Sequence, residues 1–199
     1  MNNDLFFTLK TPSEAQTREK GSKFMAFAMP IDNEEDLKKA LEGLKKQYFD
    51  ATHHCYAYTL GIENVVQRAN DDGEPAHSAG TPILNQIKAK NLSNTLVVVV
   101  RYYGGTKLGV SGLIQAYKNT AMMALESAMI QENLILKEVH VFAKFEHLNL
   151  ALSLGKKHQA KLKEQHYQEQ GVEICFQIRR SLLDNFRAQI KESYVLVLV

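Results

Sequence analysis

A basic, glycine-rich segment spans residues 101–112, between an apolar run and a helical pattern. It contains two cations, two aromatic side chains and four glycines: Arg101, Tyr102, Tyr103, Gly104, Gly105, Lys107, Gly109 and Gly112. Glycine allows a positive φ and close approach of a ligand, and the first turn of a helix offers free N–H groups and a positive dipole end. We predict that these residues bind an anion or nucleic acid. The alternative is that the glycines serve only a tight strand-to-helix connection.

The glycine spacing excludes two common phosphate-binding motifs. A Walker loop requires Gly-x-x-x-x-Gly-Lys-Ser/Thr, and a dinucleotide fingerprint requires Gly-x-Gly-x-x-Gly. Neither pattern occurs between Gly104 and Gly112. The prediction therefore depends on charge, aromatic faces and backbone freedom rather than on a nucleotide motif.

An acidic turn segment lies upstream at residues 71–77 and reads Asp-Asp-Gly-Glu-Pro-Ala-His. Carboxylates on a turn can hold a divalent cation or act as a general base, although the spacing is not that of an EF-hand. The alternative is a solvated turn whose carboxylates cap neighbouring backbone groups. The accessory residues that we predict for the site are His54, Asp72, Gly73, Glu74 and His77.

Two histidines and a cysteine are adjacent at His53-His54-Cys55. Side chains alternate along a strand, so His53 and Cys55 share one face and His54 takes the other. A zinc site would need further ligands, and the remaining histidines and Cys175 show no ligand spacing with these three. We therefore predict no metal and no cofactor. We also predict no Cys-His nucleophile, because this strand has a buried pattern.

Periodicity and breaker residues predict the elements that position these segments. The predicted strands are 5–9, 24–29, 53–60, one beginning at 65, 96–100, 138–145, 162–167, 172–178 and 194–199. The predicted helices are 37–48 with Asp32 or Asn33 as cap, 81–90, 111–128, 148–158 and 182–192. The continuous apolar run 96–100 is typical of a strand covered on both faces. A domain boundary is expected near residues 130–137, where Gln131-Glu132-Asn133 interrupts the apolar pattern.

Composition places the chain among ordinary globular proteins. It has 199 residues, 45% of them hydrophobic and 23% charged, with a net charge of +2 and two cysteines. That charge is too small to predict nucleic-acid binding from bulk electrostatics. No apolar run approaches the roughly 20 residues of a membrane helix, and the N-terminus lacks a signal-peptide pattern. We expect reduced thiols, a cytoplasmic location and no membrane partner.

One group of residues with fixed gaps resembles the signature of the IMPACT family. The matching positions are Gly80, Ile83, Leu84, Ile87, Leu92, Val98, Val99, Arg101, Tyr102, Tyr103, Gly104, Gly105, Leu108 and Gly109. Similar segments stand at residues 21–24, 53–55, 72–75 and 116–117, so the resemblance covers about residues 20–125. The chain departs from the family at His77-Ser78, where relatives commonly have Gly-Thr, and at Ser111, where many have glycine.

The resemblance implies a mixed α/β (α+β) protein of the bacterial two-domain type. Residues 1–132 should adopt a fold seen in a small-subunit ribosomal protein and in domain IV of elongation factor G. Residues 133–199, with predicted order βαββαβ, should form a ferredoxin-like domain similar to domain V of that factor. Adjacent domains of this kind imply contact with RNA, the ribosome or a translation-associated protein.

Three functions follow from these observations. We expect a non-enzymatic cytoplasmic binding protein linked to translation, which contacts RNA or ribosome-associated factors through the basic glycine-rich turn. One alternative is an enzyme acting on a phosphate- or carboxylate-bearing small molecule, although the sequence shows no recognisable set of nucleophile, base and orienting group. The other is a protein-interaction module whose glycine turn is purely structural. A homo-oligomer is also compatible with the sequence, since two small sheets offer exposed edges at which strands can pair.

Overall fold

The computed structural model describes residues 4–199 and divides into two compact units. The N-terminal unit is Phe6–Asn133, and the C-terminal unit is Leu134–Val199 together with Asp4 and Leu5. Residues 1–3, on which part of the signal-peptide prediction depends, lie outside the described residues. The predicted mixed α/β class is confirmed, whereas the assignment of 1–132 and 133–199 as the family's two domains stays a prediction.

The N-terminal unit is built on a five-stranded antiparallel sheet. Its first seven elements are β1 (Leu5–Leu9), β2 (Ser13–Glu19), β3 (Ser22–Pro30), α1 (Glu34–Gln47), β4 (His53–Leu60), β5 (Val66–Asn70) and α2 (Gly80–Ala89). β6 (Thr95–Tyr102), α3 (Gly109–Ser127) and β7 (Ile130–Leu134) follow. The sheet order is β2-β3-β6-β4-β5, and β1 pairs with β7 in a separate two-stranded ladder.

β6 is the central strand and is covered on both faces, as its apolar run predicts. Val97 and Val99 face a core layer shared with α2 and α3. Leu96, Val98 and Val100 face a second layer, which α1 covers. Because both faces are filled, the polar end of β6 is held at a fixed position at the rim of the sheet.

Two strands were not predicted, and both have weak apolar signals. β2 turns Ser13 and Thr17 toward α3, where the Ser13 hydroxyl donates to the Ala124 carbonyl and Thr17 bonds the Thr120 hydroxyl. Residues 131–133, expected to interrupt the pattern at a boundary, lie within β7, whose side chains are mostly exposed. Backbone pairing rather than apolar burial stabilises such strands, so periodicity does not reveal them.

The C-terminal unit has the predicted βαββαβ order. It comprises β8 (Leu136–Ala143), α4 (Leu148–Lys157), β9 (Lys161–Gln168), β10 (Gly171–Arg179), α5 (Leu183–Glu192) and β11 (Leu196–Leu198), with 3-10 turns at Phe145–His147 and Arg180–Leu182. The sheet order β11-β8-β10-β9 is antiparallel and ferredoxin-like. Both helices pack on one sheet face, and the opposite face carries polar side chains.

No helix among residues 4–199 has the length and apolarity needed to cross a bilayer.

Close backbone approach explains why residue 104, in the turn that follows β6, is glycine. A Cβ on Gly104 would overlap the backbone of Gly21 and Ser22, at the turn between β2 and β3. The Gly104 N–H also donates a hydrogen bond to the Ser22 hydroxyl at 3.1 Å. The glycine therefore lets two backbones meet at the end of the sheet.

Gly104→Ala should lower the free energy of unfolding by roughly 3 kcal/mol, because backbone atoms cannot yield as a flexible side chain can. The measurement is urea unfolding followed by circular dichroism. Gly43→Ala is the matched control: an added Cβ there meets nothing within 4 Å. In the middle of α1 it should stabilise by about 0.5–1 kcal/mol. Equal effects of the two changes would contradict the close-approach argument.

Candidate functional site

A cleft of about 450 Å³ opens where β6 ends and α3 begins. The turn after β6, the acidic loop between β5 and α2, the start of β4 and the first turn of α3 all contribute to it. Its polar and aromatic lining includes His53, Glu74, Arg101, Tyr103 and Lys107. Two segments 27 positions apart in the sequence, the acidic loop and the glycine-rich turn, therefore meet at one place.

A buried ion pair forms the floor of the cleft. The Nη1 of Arg101 donates to Glu74 Oε1 at 2.5 Å, and the two side chains are only 6% and 4% exposed. The Tyr117 hydroxyl donates to the same carboxylate oxygen at 2.7 Å, and Arg101 Nη2 donates to the Ser22 hydroxyl at 3.4 Å. The charge of Arg101 is therefore neutralised inside the protein by Glu74.

Aromatic rings enclose the same guanidinium. Its central carbon lies 5.4 Å from the centroid of the Phe24 ring and 5.6 Å from that of Tyr103. Such cation–π contacts are stronger for a desolvated cation than for an exposed one. Arg101 thus packs against Tyr103, a residue that remains 47% exposed.

Asp71 shapes the loop that delivers Glu74. Its Oδ1 accepts from the backbone N–H groups of Ala79 and Gly80, at 2.9 and 2.8 Å, and its Oδ2 accepts from that of His77 at 2.8 Å. Although partial burial opposes the shift, these hydrogen bonds hold the pKa of Asp71 below its usual value. The carboxylate caps α2, so the N-terminus of that helix is already occupied.

His53 lies at the edge of the cleft with one ring nitrogen fixed. Its Nδ1 is 2.8 Å from the carbonyl oxygen of Asp72, and its Nε2 is 3.8 Å from Glu74 Oε1. Because a carbonyl only accepts, Nδ1 carries the hydrogen in the neutral ring and Nε2 keeps the lone pair. Nε2 is therefore the ring nitrogen that can accept or return a proton.

His54 and Cys55 have different surroundings. The backbone N–H of His54 donates to Asp72 Oδ2 at 2.6 Å, but the ring lies away from the cleft and its pKa is lowered, chiefly by burial. Burial likewise raises the pKa of the Cys55 thiol, whose sulfur lies 3.0 Å from the Asp71 carbonyl oxygen and 3.3 Å from the Tyr117 hydroxyl. Neither arrangement activates a nucleophile.

The exposed side of the cleft is basic and lacks a side-chain cap. Gly105 and Gly109 have φ values of +88° and +73°, which only glycine adopts freely. α3 begins at Gly109 without a side-chain hydrogen bond to its first-turn N–H groups. Those N–H groups and the exposed Lys107 border the cleft, an arrangement suited to an anion.

Comparison with known proteins assigns the family. Residues 20–125 match the Impact N-terminal domain. The chain belongs to the IMPACT family. It is 35% identical over 164 residues to IMPACT family member YvyE of Bacillus subtilis strain 168, covering 82% of this chain and 76% of YvyE.

Two solved structures complete the comparison of this IMPACT protein. A crystal structure described as that of a hypothetical protein has a TM-score of 0.72 at 27% identity, covering 98% of this chain and 97% of that one. A structure described as the two-domain translational regulator Yih1 has 27% identity and a TM-score of 0.38, covering 61% of this chain and 47% of Yih1.

The IMPACT domain brings together only some of the residues predicted from sequence. Arg101, Tyr103, Lys107, Gly109 and Glu74 border the cleft, and Gly104, Gly105, Asp72 and Gly73 belong to the turn and the loop that form it. Four predicted residues lie elsewhere. The Tyr102 hydroxyl donates to Asp50 at 2.7 Å, and His54 is buried away from the cleft. Gly112 lines a depression between β2 and α3, and His77 lines another beside α2.

Two residues of the IMPACT site were missing from the predicted set. His53 enters the sequence prediction only as a possible metal ligand or partner of Cys55, although strand alternation places it opposite His54. Tyr117 enters only as an apolar position of the long helix that matches the family, and nothing local indicates that its hydroxyl meets Glu74. A buried tyrosine needs a hydrogen-bond partner, which is the signal that could have directed attention to it.

Arg101→Met should destabilise the N-terminal unit by about 3–5 kcal/mol, because it leaves Glu74 buried without its counter-ion. Urea unfolding of Arg101→Met, Glu74→Gln and the double variant measures the coupling. The double variant should cost less than the sum of the singles by about 1–3 kcal/mol. Lys39→Met is the control, since Lys39 and its partner Glu35 are 69% and 73% exposed, and its effect should stay below about 1 kcal/mol. Strict additivity would contradict the pairing.

Asp71→Asn should lower the free energy of unfolding by about 1–2 kcal/mol at neutral pH, because an amide nitrogen would face a backbone N–H group that donates to the carboxylate. The folded-state pKa of Asp71 lies below its usual value of 3.8. Its stabilisation is therefore present above that value and is lost as pH falls through the folded-state pKa. When urea unfolding is measured across acidic pH, the free energy of unfolding should fall less steeply with decreasing pH in Asp71→Asn than in the unsubstituted chain. An unchanged pH dependence would refute this. Asp32→Asn, at an exposed position, should leave the pH dependence as it is.

Proposed function

We propose that this chain is a non-enzymatic cytoplasmic binding protein linked to translation. It contacts RNA or a ribosome-associated factor through the cleft between the glycine-rich turn and the first turn of α3. The observation that carries the proposal is the absence of a side-chain cap at the start of α3, beside Lys107 and the exposed ring of Tyr103.

The chemistry of the cleft supports a phosphate-bearing polymer. The N–H groups of the first α3 turn and the ammonium of Lys107 favour phosphate oxygens, and the ring of Tyr103 offers a face on which a base can stack. Gly105 adds no side chain and has open space around it. In this proposal Arg101 holds Tyr103 and Glu74 in place and does not itself contact the polymer.

The family adds a second line of support. The resemblance of IMPACT proteins to domains IV and V of elongation factor G implies contact with the translation apparatus. The ferredoxin-like order of the C-terminal unit agrees with that resemblance. The kind of RNA and the identity of a protein partner belong to the proposal.

Lys107→Glu should weaken binding of a fluorescein-labelled single-stranded RNA, or of purified ribosomes, by roughly tenfold at low salt. The measurement is fluorescence anisotropy for the RNA and co-sedimentation for the ribosomes. Lys107→Gln should also reduce the slope of log K against log salt by about 0.7, the share of one phosphate contact on a single strand.

Lys46→Glu is the matched control for this experiment. It makes the same charge change in the last turn of α1, which covers the opposite face of the sheet. If Lys46→Glu weakens binding as much as Lys107→Glu, the effect is one of net charge and the cleft is not the binding site. If the unsubstituted chain shows no salt-sensitive binding, the nucleic-acid form of the proposal is refuted.

One observation favours a second candidate function, an enzyme acting on a phosphate- or carboxylate-bearing small molecule. His53 Nε2 and the Glu74 carboxylate lie in the same cleft as the start of α3, so an acid–base group stands beside an anion-binding group. Calorimetric titration with inorganic phosphate and with small carboxylates tests this form. If the chain is such an enzyme, His53→Gln should remove turnover and leave RNA binding unchanged. RNA binding without affinity for any small anion would instead favour the non-enzymatic binding protein.

A further inference from the structure

A second group of chemically reactive side chains lies in the C-terminal unit, on the sheet face opposite α4 and α5. Glu138 and His140 are two residues apart on β8, so their side chains share a face. Cys175 on β10 stands directly across from His140 in the antiparallel register. One donor atom from each of the three side chains lies within 4.8 Å of the other two.

The position on two paired central strands makes this group rigid. β8 and β10 are the inner strands of the sheet, each paired on both sides. The other face of the same strands is filled by buried apolar side chains such as Val139, Val141, Ile174 and Phe176. Donor atoms fixed by such a scaffold lose little conformational freedom when they bind a common ligand.

Glu173 orients the ring of His140. Its Oε1 lies 3.0 Å from His140 Nδ1. An ionised carboxylate only accepts, so Nδ1 carries the hydrogen and Nε2 is the nitrogen with a free lone pair. A carboxylate behind a histidine is the usual outer partner of a metal-bound imidazole, because it fixes the tautomer and raises the basicity of the ligand.

The thiol and the carboxylate of the group already face each other. Cys175 Sγ lies 3.9 Å from Glu138 Oε2, and Cys175 is only 2% exposed. Glu138 and His140 remain 44% and 43% exposed at their side chains, so the group is reachable from solvent. A cation also lies beside the group: the ammonium of Lys163 on β9 is 2.7 Å from Glu138 Oε1.

We propose that Glu138, His140 and Cys175 form a binding site for one thiophilic divalent cation of the zinc class. A thiolate with an imidazole selects a borderline-soft ion such as Zn²⁺ and disfavours Mg²⁺ and Ca²⁺, which prefer all-oxygen sites. Three protein ligands leave the fourth tetrahedral position to water or an external ligand. Glu173 is then a positioning residue that acts through His140.

Binding has a defined proton balance. The Cys175 sulfur binds as thiolate, so the S–H bond breaks and about one proton is released to solvent for each ion bound. The cation also competes with the ammonium of Lys163 for Glu138. Removal of that ammonium should therefore tighten binding, an effect opposite to that of removing a ligand.

The test uses Co²⁺ as a spectroscopic probe and Zn²⁺ in calorimetric competition, with the full chain freed of metal by a chelator. The unsubstituted chain should bind one ion per chain, with a thiolate-to-cobalt charge-transfer band in the near ultraviolet and visible bands of a tetrahedral site. Cys175→Ser should abolish the charge-transfer band. His140→Ala should weaken affinity at least tenfold, and Glu173→Gln by about 10–100-fold through the orientation of His140.

Two further variants make the test specific. Lys163→Met should increase affinity, and His166→Ala should leave it unchanged, because His166 lies on β9 outside the group and bonds Glu164. Circular dichroism of each metal-free variant checks its fold. If Cys175→Ser unfolds, Glu138→Gln at its exposed position replaces it and should weaken binding while shifting the visible bands.

Three results would overturn the proposal. The first is the absence of a thiolate band in the folded, unsubstituted chain. The second is a band that survives in Cys175→Ser, which would assign it to Cys55. The third is an equal loss of affinity in His140→Ala and His166→Ala, which would indicate non-specific histidine binding.

Discussion

The architecture of the N-terminal unit depends on the burial of one ion pair, Arg101 with Glu74. A guanidinium and a carboxylate removed from water are stable only if their hydrogen-bonding capacity is met inside the protein. Ser22 and Tyr117 supply part of that capacity, the first from the start of β3 and the second from the middle of α3. One electrostatic requirement therefore ties together four segments that are far apart in the sequence.

The same requirement explains why glycines cluster around the pair. Strand ends and loops must approach closely enough for Arg101 to reach Glu74, and side chains would keep them apart. Gly104 meets Gly21 backbone to backbone, and Gly80 meets Asn70, whose backbone nitrogen would lie 2.6 Å from an added Cβ. Gly105 and Gly109 differ, because nothing lies within 4 Å of an added Cβ and only their positive φ needs glycine. The glycines of the turn thus divide into those that close the structure and those that shape an open surface.

This division shows what the sequence can and cannot predict. Apolar periodicity located most helices and strands because burial governs it, but it missed β2 and β7, which are held by hydroxyl contacts or backbone pairing. Arg101 was predicted as a contact residue because composition does not reveal a partner 27 positions upstream. Strand alternation correctly separated His53 from His54. The meeting of Cys175 with His140 depended on a cross-strand register that turn lengths and side-chain packing fix together.

Neutralisation of Arg101 also limits how the proposed site can bind an anion. With Glu74 against its guanidinium, the positive potential comes from Lys107 and from the first turn of α3, whose dipole acts only over about one turn. A chain with a net charge of +2 adds little long-range steering to these groups. In the proposed function, binding therefore depends on short-range contacts, namely N–H groups on a phosphate and a base or ring on Tyr103. A ligand that offers one phosphate beside a planar group satisfies both contacts at once, whereas a densely charged duplex would leave most of its phosphates without partners at this cleft.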